Sequence, residues 1–216
     1  MSDARSTRQR LVEEAMRLFG EQGYRETTIA QIEAAAGLSP GSGGLYKHFS
    51  SKKALLAEGV EALLTDRAEL DRALDPSLVQ SPGDLAELRA LLQSVATAGL
   101  RRMEFDRHIN RFLFRGLQEF PDLLARYGEG EIAANQRAVE ALLSALVNDH
   151  YVDHDWPAIA AVLVGAIAHY WLLTDLFGTH PSGIDEERYT AASALLASCL
   201  LTDRWNPGPT NPEPMT

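Results

Sequence analysis

Two histidines, His150 and His154, stand four residues apart in the stretch NDHYVDHD, beside Asp149, Asp153 and Asp155. Imidazoles one helical turn apart with carboxylates nearby are a donor set for a transition metal. The stretch has no glutamate in an H-E-x-x-H arrangement and lies where a helical pattern gives way to a polar loop, so it reads as a surface turn, and neither a metal nor another cofactor is expected. The glycines around Gly41 are not a phosphate loop, since no strand precedes them and no G-K-S/T follows. Cys199 is the only cysteine and sits in the apolar run AASALLASCLL, which points to a buried, reduced thiol. Without a Ser-His-Asp spacing, nucleophilic catalysis has no candidate, and the chain is not expected to be an enzyme. Arg101, Arg102, Arg107, Arg111 and Arg115 form a basic run, of which the last three fall on one helical face. They suit either an anionic ligand or a solvated stripe paired with Glu104 and Glu119.

The chemistry that remains is recognition, and it centres on TTIAQIEAAAGLSPGSGGLYKHF, Thr27 to Phe49. Thr27 or Thr28 can cap the first turn of a helix, and Gln31 lies three residues after Thr28, as a capping box requires. Ile29, Ile32, Ala35 and Ala36 form an apolar stripe, and Gly37 ends the helix and turns the chain. Ser39 and Pro40 predict the start of a second short helix that carries Leu45 and Phe49 inward. Gly43 and Gly44 argue that this helix is frayed or re-angled, because each glycine costs about 1 kcal/mol relative to alanine. Two short helices about a glycine turn make a helix-turn-helix, whose second helix can enter a DNA major groove.

The order of the capped TTIAQIEAAAG helix, a turn, LYKHF and then SKKALL resembles the DNA-binding domain of TetR-family transcriptional regulators. The chain departs from it in one place: six residues, SPGSGG, separate Leu38 from Leu45 where the family has about four. The resemblance implies an all-α fold, with an N-terminal three-helix head and a helical body that binds ligand and dimerises. It places Ser39, Gly41, Ser42, Gly43 and Gly44 at the exposed start of the recognition helix. Tyr46, Lys47 and His48 match phosphate-contacting positions, with Thr27 or Thr28 and Lys52 clamping the backbone nearby. It further implies a homodimer reading a palindromic operator in double-stranded DNA, and a small-molecule effector whose binding releases the DNA. The competing reading is an all-α enzyme or scaffold carrying a DNA-binding-like head.

A net charge of −10 over 216 residues runs contrary to DNA binding until it is resolved along the chain. Residues 1–53 hold eight Lys or Arg against six Asp or Glu, and the remainder twelve against twenty-four, which gives +2 and −12. The positive end can meet phosphates while the acidic remainder discourages non-specific adhesion, although an acidic body also serves solubility alone. The polar start MSDARSTRQR lacks a signal-peptide core, and no run of about 20 uninterrupted apolar residues suggests a membrane span, so a cytoplasmic location is expected.

Along the chain, Leu11, Ala15, Leu18 and Phe19 predict a first helix over residues 5–22. The head is assigned to residues 1–53, a connecting helix to 54–74 within a body of 54–205, and a proline-rich disordered tail to 206–216. Body helices are predicted over about 82–105, 107–119, 121–150, 156–177 and 185–201. The last two are apolar around most of their circumference and are assigned to packing against a second copy, the alternative being the centre of a monomeric core. Candidate ligand-lining residues are the aromatic set Phe105, His108, Phe112, Trp156, His169, Tyr170 and Trp171.

Overall fold

The computed structural model describes residues 6–147 and 154–202, and the described chain contains helices and turns but no strand. The helices are α1 (Thr7–Gln22), α2 (Ile29–Ala35), α3 (Lys52–Thr65), α4 (Ala68–Leu74), α5 (Leu85–Phe105), α6 (Arg107–Arg115), α7 (Pro121–Tyr127), α8 (Ala134–Leu146), α9 (Trp156–Phe177) and α10 (Glu186–Leu201). Residues 149, 150 and 153 and the 206–216 tail lie outside the described residues.

Two compact units emerge. The first comprises residues 6–68 and 101–135. Its core brings Leu11, Phe19, Ile32, Leu45 and Phe49 of the N-terminal segment together with Leu55 and Leu56 of α3, Phe112 of α6 and Leu123 of α7. Gly20 leaves no room for a Cβ against the His108 carbonyl, so α1 and α6 approach backbone to backbone. Both capping boxes form: Ser6 with Gln9 opens α1 and Thr28 with Gln31 opens α2. The second unit comprises residues 69–100 and the described residues from 136 onward, and is built on Leu88, Leu92, Leu143, Ala194 and Ala197, with Leu70, Leu74 and Leu142 in an adjoining cluster.

Three predicted helices are interrupted. The connecting helix breaks at Asp66 and Arg67, where the Arg102 guanidinium donates to the carbonyls of Leu63 and Asp66 at the open end of α3. The helix from residue 107 stops at Gly116, followed by a single 3-10 turn, Leu117–Glu119. The long helix from Pro121 divides at a π-helical turn, Gly128–Ala133, which contains two glycines and turns Glu131 inward. The helix over 156–177 has the predicted bounds. Cys199 is half-buried rather than fully enclosed.

Contrary to the sequence expectation, α9 is long and apolar enough to cross a membrane by length and composition. Val162, Leu176 and Phe177 of α9 and Leu195 and Leu196 of α10 are exposed, so these helices carry more apolar surface than their own unit covers.

Candidate nucleic-acid interface

The segment after α2 has no α-helix from Ser39. Gly41 and Gly43 have φ of +72° and +73°, a left-handed conformation that a right-handed helix excludes. Ser39 to Ser42 closes one turn (Ser42 N to Ser39 O, 3.2 Å) and Gly43 to Tyr46 a second (3.1 Å). The third helical element of the head is therefore a single 3-10 turn, Leu45–Lys47. Leu45 and Phe49 still point into the core.

What replaces helical hydrogen bonding is Glu33, fully buried on α2. One carboxylate oxygen accepts from Gly41 N at 2.7 Å and the other from Leu45 N at 2.9 Å. The Glu33 carbonyl also accepts from Leu38 N at 2.8 Å. The other end of the segment is held by Arg8, whose guanidinium donates to the His48 carbonyl at 2.8 Å, lies 4.3 Å over the Phe49 ring and pairs with Glu58 at 3.0 Å.

On this scaffold Ser39, Gly41, Ser42, Tyr46 and Lys47 are exposed, and Gly43, Gly44 and His48 are half-buried. Thr28 is exposed and caps α2. Thr27 is fully buried, its hydroxyl donating to the Gly23 carbonyl at 2.7 Å. Lys52 donates from Nζ to the carbonyls of Tyr24 (2.6 Å) and Thr27 (2.8 Å) and lies 4.2 Å over the Tyr24 ring, and burial lowers its pKa. Thr27 and Lys52 thus build the turn before α2 from inside.

Glu33 and Arg8 organise this segment without being among the candidate residues of the motif. The signal for Glu33 was its position: 29, 32, 33 and 36 is the full inward face of a helix, and a carboxylate on that face requires internal donors. The predicted stripe runs through Ala35, which the structure leaves exposed.

The aromatic ligand candidates are divided between the units. Phe112 is fully buried against Phe19 (ring centroids 6.0 Å apart), His108 is half-buried with its pKa lowered by burial, and Phe105 is 73% exposed. In the second unit Trp156 is half-buried, His169 exposed, and Tyr170 and Trp171 buried. The Tyr170 ring stacks on Tyr189 at 4.2 Å and on His180 at 5.1 Å. The basic run also divides. Arg107 pairs with Glu104 at 2.7 Å, whereas Glu119 pairs with Arg25, and the Arg102 side chain is only 10% exposed.

Arg102 belongs to an interlocked cluster. It contacts Asp106 at 3.0 Å and Glu131 at 3.6 Å, while Arg67 contacts Glu131 at 2.7 Å and donates to Asn135 at 2.6 Å. All four charged side chains are at most 10% exposed. Burial first, and the neighbouring carboxylates Glu131 and Asp66 after it, push the Asp106 carboxyl up to about 7 against the opposing pull of Arg102.

Residues 11–58 match the family model described as bacterial regulatory proteins, tetR family. The regulator AcrR of Shigella flexneri is 34% identical over 106 residues, 47% of each chain, so the match spans about half of that relative's length. The regulator YvkB of Bacillus subtilis is 30% identical over 138 residues, which cover 64% of this chain and 67% of that one. Among solved structures, SmeT, the repressor of a Stenotrophomonas maltophilia multidrug efflux pump, superposes with a TM-score of 0.63 at 22% identity and full coverage of both chains.

Proposed function

We propose that this chain, which belongs to the TetR family of bacterial regulatory proteins, is a cytoplasmic transcriptional repressor that binds a palindromic operator as a homodimer and leaves it when a small molecule binds the body. The observation that carries the DNA-binding reading is the presentation of Ser42, Tyr46 and Lys47 to water on one short segment whose backbone is fixed from within. Lys47 meets phosphate, Tyr46 and His48 flank it, and Ser42 hydrogen-bonds a base or phosphate. The glycines at 41, 43 and 44 allow the backbone to come close to DNA, and Thr28 and Ser39 lie beside them. Thr27 and Lys52 serve by holding this surface. Contact with DNA is assigned to residues 1–53, and ligand binding and dimerisation to residues 54–205.

The exposed apolar residues of α9 and α10 support the dimer, because such a surface gains most by meeting its own copy across a two-fold axis. That use of α9 explains its length and composition without a membrane. Release requires only population shift: an effector that prefers the form with mismatched heads lowers DNA affinity by its differential affinity for that form.

The test is selection of tight binders from a random duplex pool at near-physiological salt. A palindromic motif bound in roughly the 10⁻⁸ to 10⁻¹¹ M range is expected. Failure of folded, dimeric protein to enrich any motif would overturn the reading.

A further inference from the structure

A helix that reads DNA keeps its shape by its own i to i−4 hydrogen bonds. Residues 39–44 of this chain have no such ladder, and two glycines with positive φ would leave the segment loose if nothing else held it. Glu33 supplies the missing bonds. Its two oxygens take one amide each, from Gly41 and Leu45, so the stretch from 41 to 45 wraps an internal anion much as a backbone nest wraps a bound one. Gly44 completes the fit, since a Cβ there would lie 3.2 Å from Leu38 Cδ1 and 3.7 Å from Glu33 Oε1. Ser42 and Tyr46, the side chains offered to DNA, lie inside and just beyond the braced stretch. Their positions therefore follow from a residue that cannot itself touch DNA.

We infer that Glu33 is a specificity-determining positioning residue: its buried carboxylate presets a glycine loop, in place of a recognition helix, as the element that discriminates between DNA sequences. This rests on the DNA-binding reading above. The brace fixes the loop before DNA arrives, so its removal costs discrimination and leaves attraction to the phosphate backbone intact. Phosphate attraction is carried by surface cations such as Lys47, whose charge does not depend on loop shape.

The experiment uses full-length Glu33→Gln, which keeps one acceptor oxygen and turns an NH₂ group toward the other amide. Affinity is measured for the selected operator and for an unrelated duplex, with amide hydrogen exchange at Gly41 and Leu45. The expected result is about a tenfold loss of operator affinity, the equilibrium equivalent of one charge-assisted hydrogen bond. Unrelated-duplex affinity and its salt dependence stay within about twofold, and the two amides exchange faster while those of Leu11 and Leu55 do not. Operator affinity within twofold of wild type, or an equal loss on both duplexes, overturns the inference. If Glu33→Gln does not fold, Glu33→Asp carries the same readouts, because it keeps the charge and draws it back from both amides. If the wild type selects no operator, the DNA reading fails, and the inference about specificity fails with it. The exchange data then report separately whether Glu33 braces the loop.

Discussion

The two places where the first unit buries carboxylates solve the same problem in opposite ways. Glu33 is satisfied by backbone amides, neutral donors fixed by the fold, and needs no counter-ion for its hydrogen bonds. Glu131 and Asp106 are satisfied by Arg67 and Arg102, side chains that must themselves be desolvated and that also take up the Leu63, Asp66 and Gly130 carbonyls. The first arrangement shapes one loop. The second ties the end of α3 to α5, α6 and the π-helical turn through charges that depend on one another. A backbone-held anion is thus a local device whose loss is felt locally, whereas an interlocked ion cluster has no dispensable member.

The largest effect that separates them is expected for Arg102→Ala. Removing this guanidinium leaves buried carboxylates under-compensated and two carbonyls without their donor, so urea unfolding should show a loss of about 3–5 kcal/mol. A loss below about 1 kcal/mol would mean that the cluster is as dispensable as a surface pair. Next is pH. In the unfolded chain Asp106 releases its proton near 3.8, but in the fold it holds it to about 7. The folded state therefore binds the extra proton between those values, and the stability this carboxyl contributes falls as pH rises through that window, by an amount of the order of a few kcal/mol. Asp106→Asn should gain on wild type steadily from about pH 4 to pH 7, and a constant difference between the two would refute the assignment. The smallest effect on the fold belongs to Lys47→Ala, on the exposed rim of the braced loop. Its unfolding midpoint should not move, while DNA binding weakens at all sequences and the salt dependence loses about one unit of slope. Unchanged DNA affinity would remove Lys47 from phosphate contact.

The caps and the inward apolar faces were legible because each is a local rule. Thr28 with Gln31 forms the capping box that the spacing predicts, and Leu45 and Phe49 turn inward as their pattern requires. The helical pattern along the body and similarity to the TetR family together gave the all-α class. What could not be read was where a charged residue would be called inward by partners distant in sequence. Arg67 meets Glu131 and Asn135 more than sixty positions away, and this pairing accompanies the interruption of two helices whose apolar periodicity reads as continuous. Glycine was legible as a weakness at 43 and 44, but its consequence, left-handed turns at 41 and 43 instead of a frayed helix, depended on Glu33 being available beneath. The aromatic residues of the body gave no local signal of which would be enclosed. Phe105 and Phe112, seven residues apart, end respectively in water and at the centre of the core.

On the proposed DNA-binding reading, the left-handed glycines also mark where new DNA preferences can be engineered. A Cβ added at Gly41 or Gly43 meets nothing within 4 Å, so the obstacle to a side chain there is backbone conformation and not space. Asparagine and aspartate tolerate that conformation best among residues with a Cβ. Libraries that sample these two residues at 41 and 43 would add hydrogen-bonding groups to the proposed reading surface above the Glu33 brace, whereas a side chain at position 44, its Cβ 3.2 Å from Leu38 Cδ1, requires that leucine to shift.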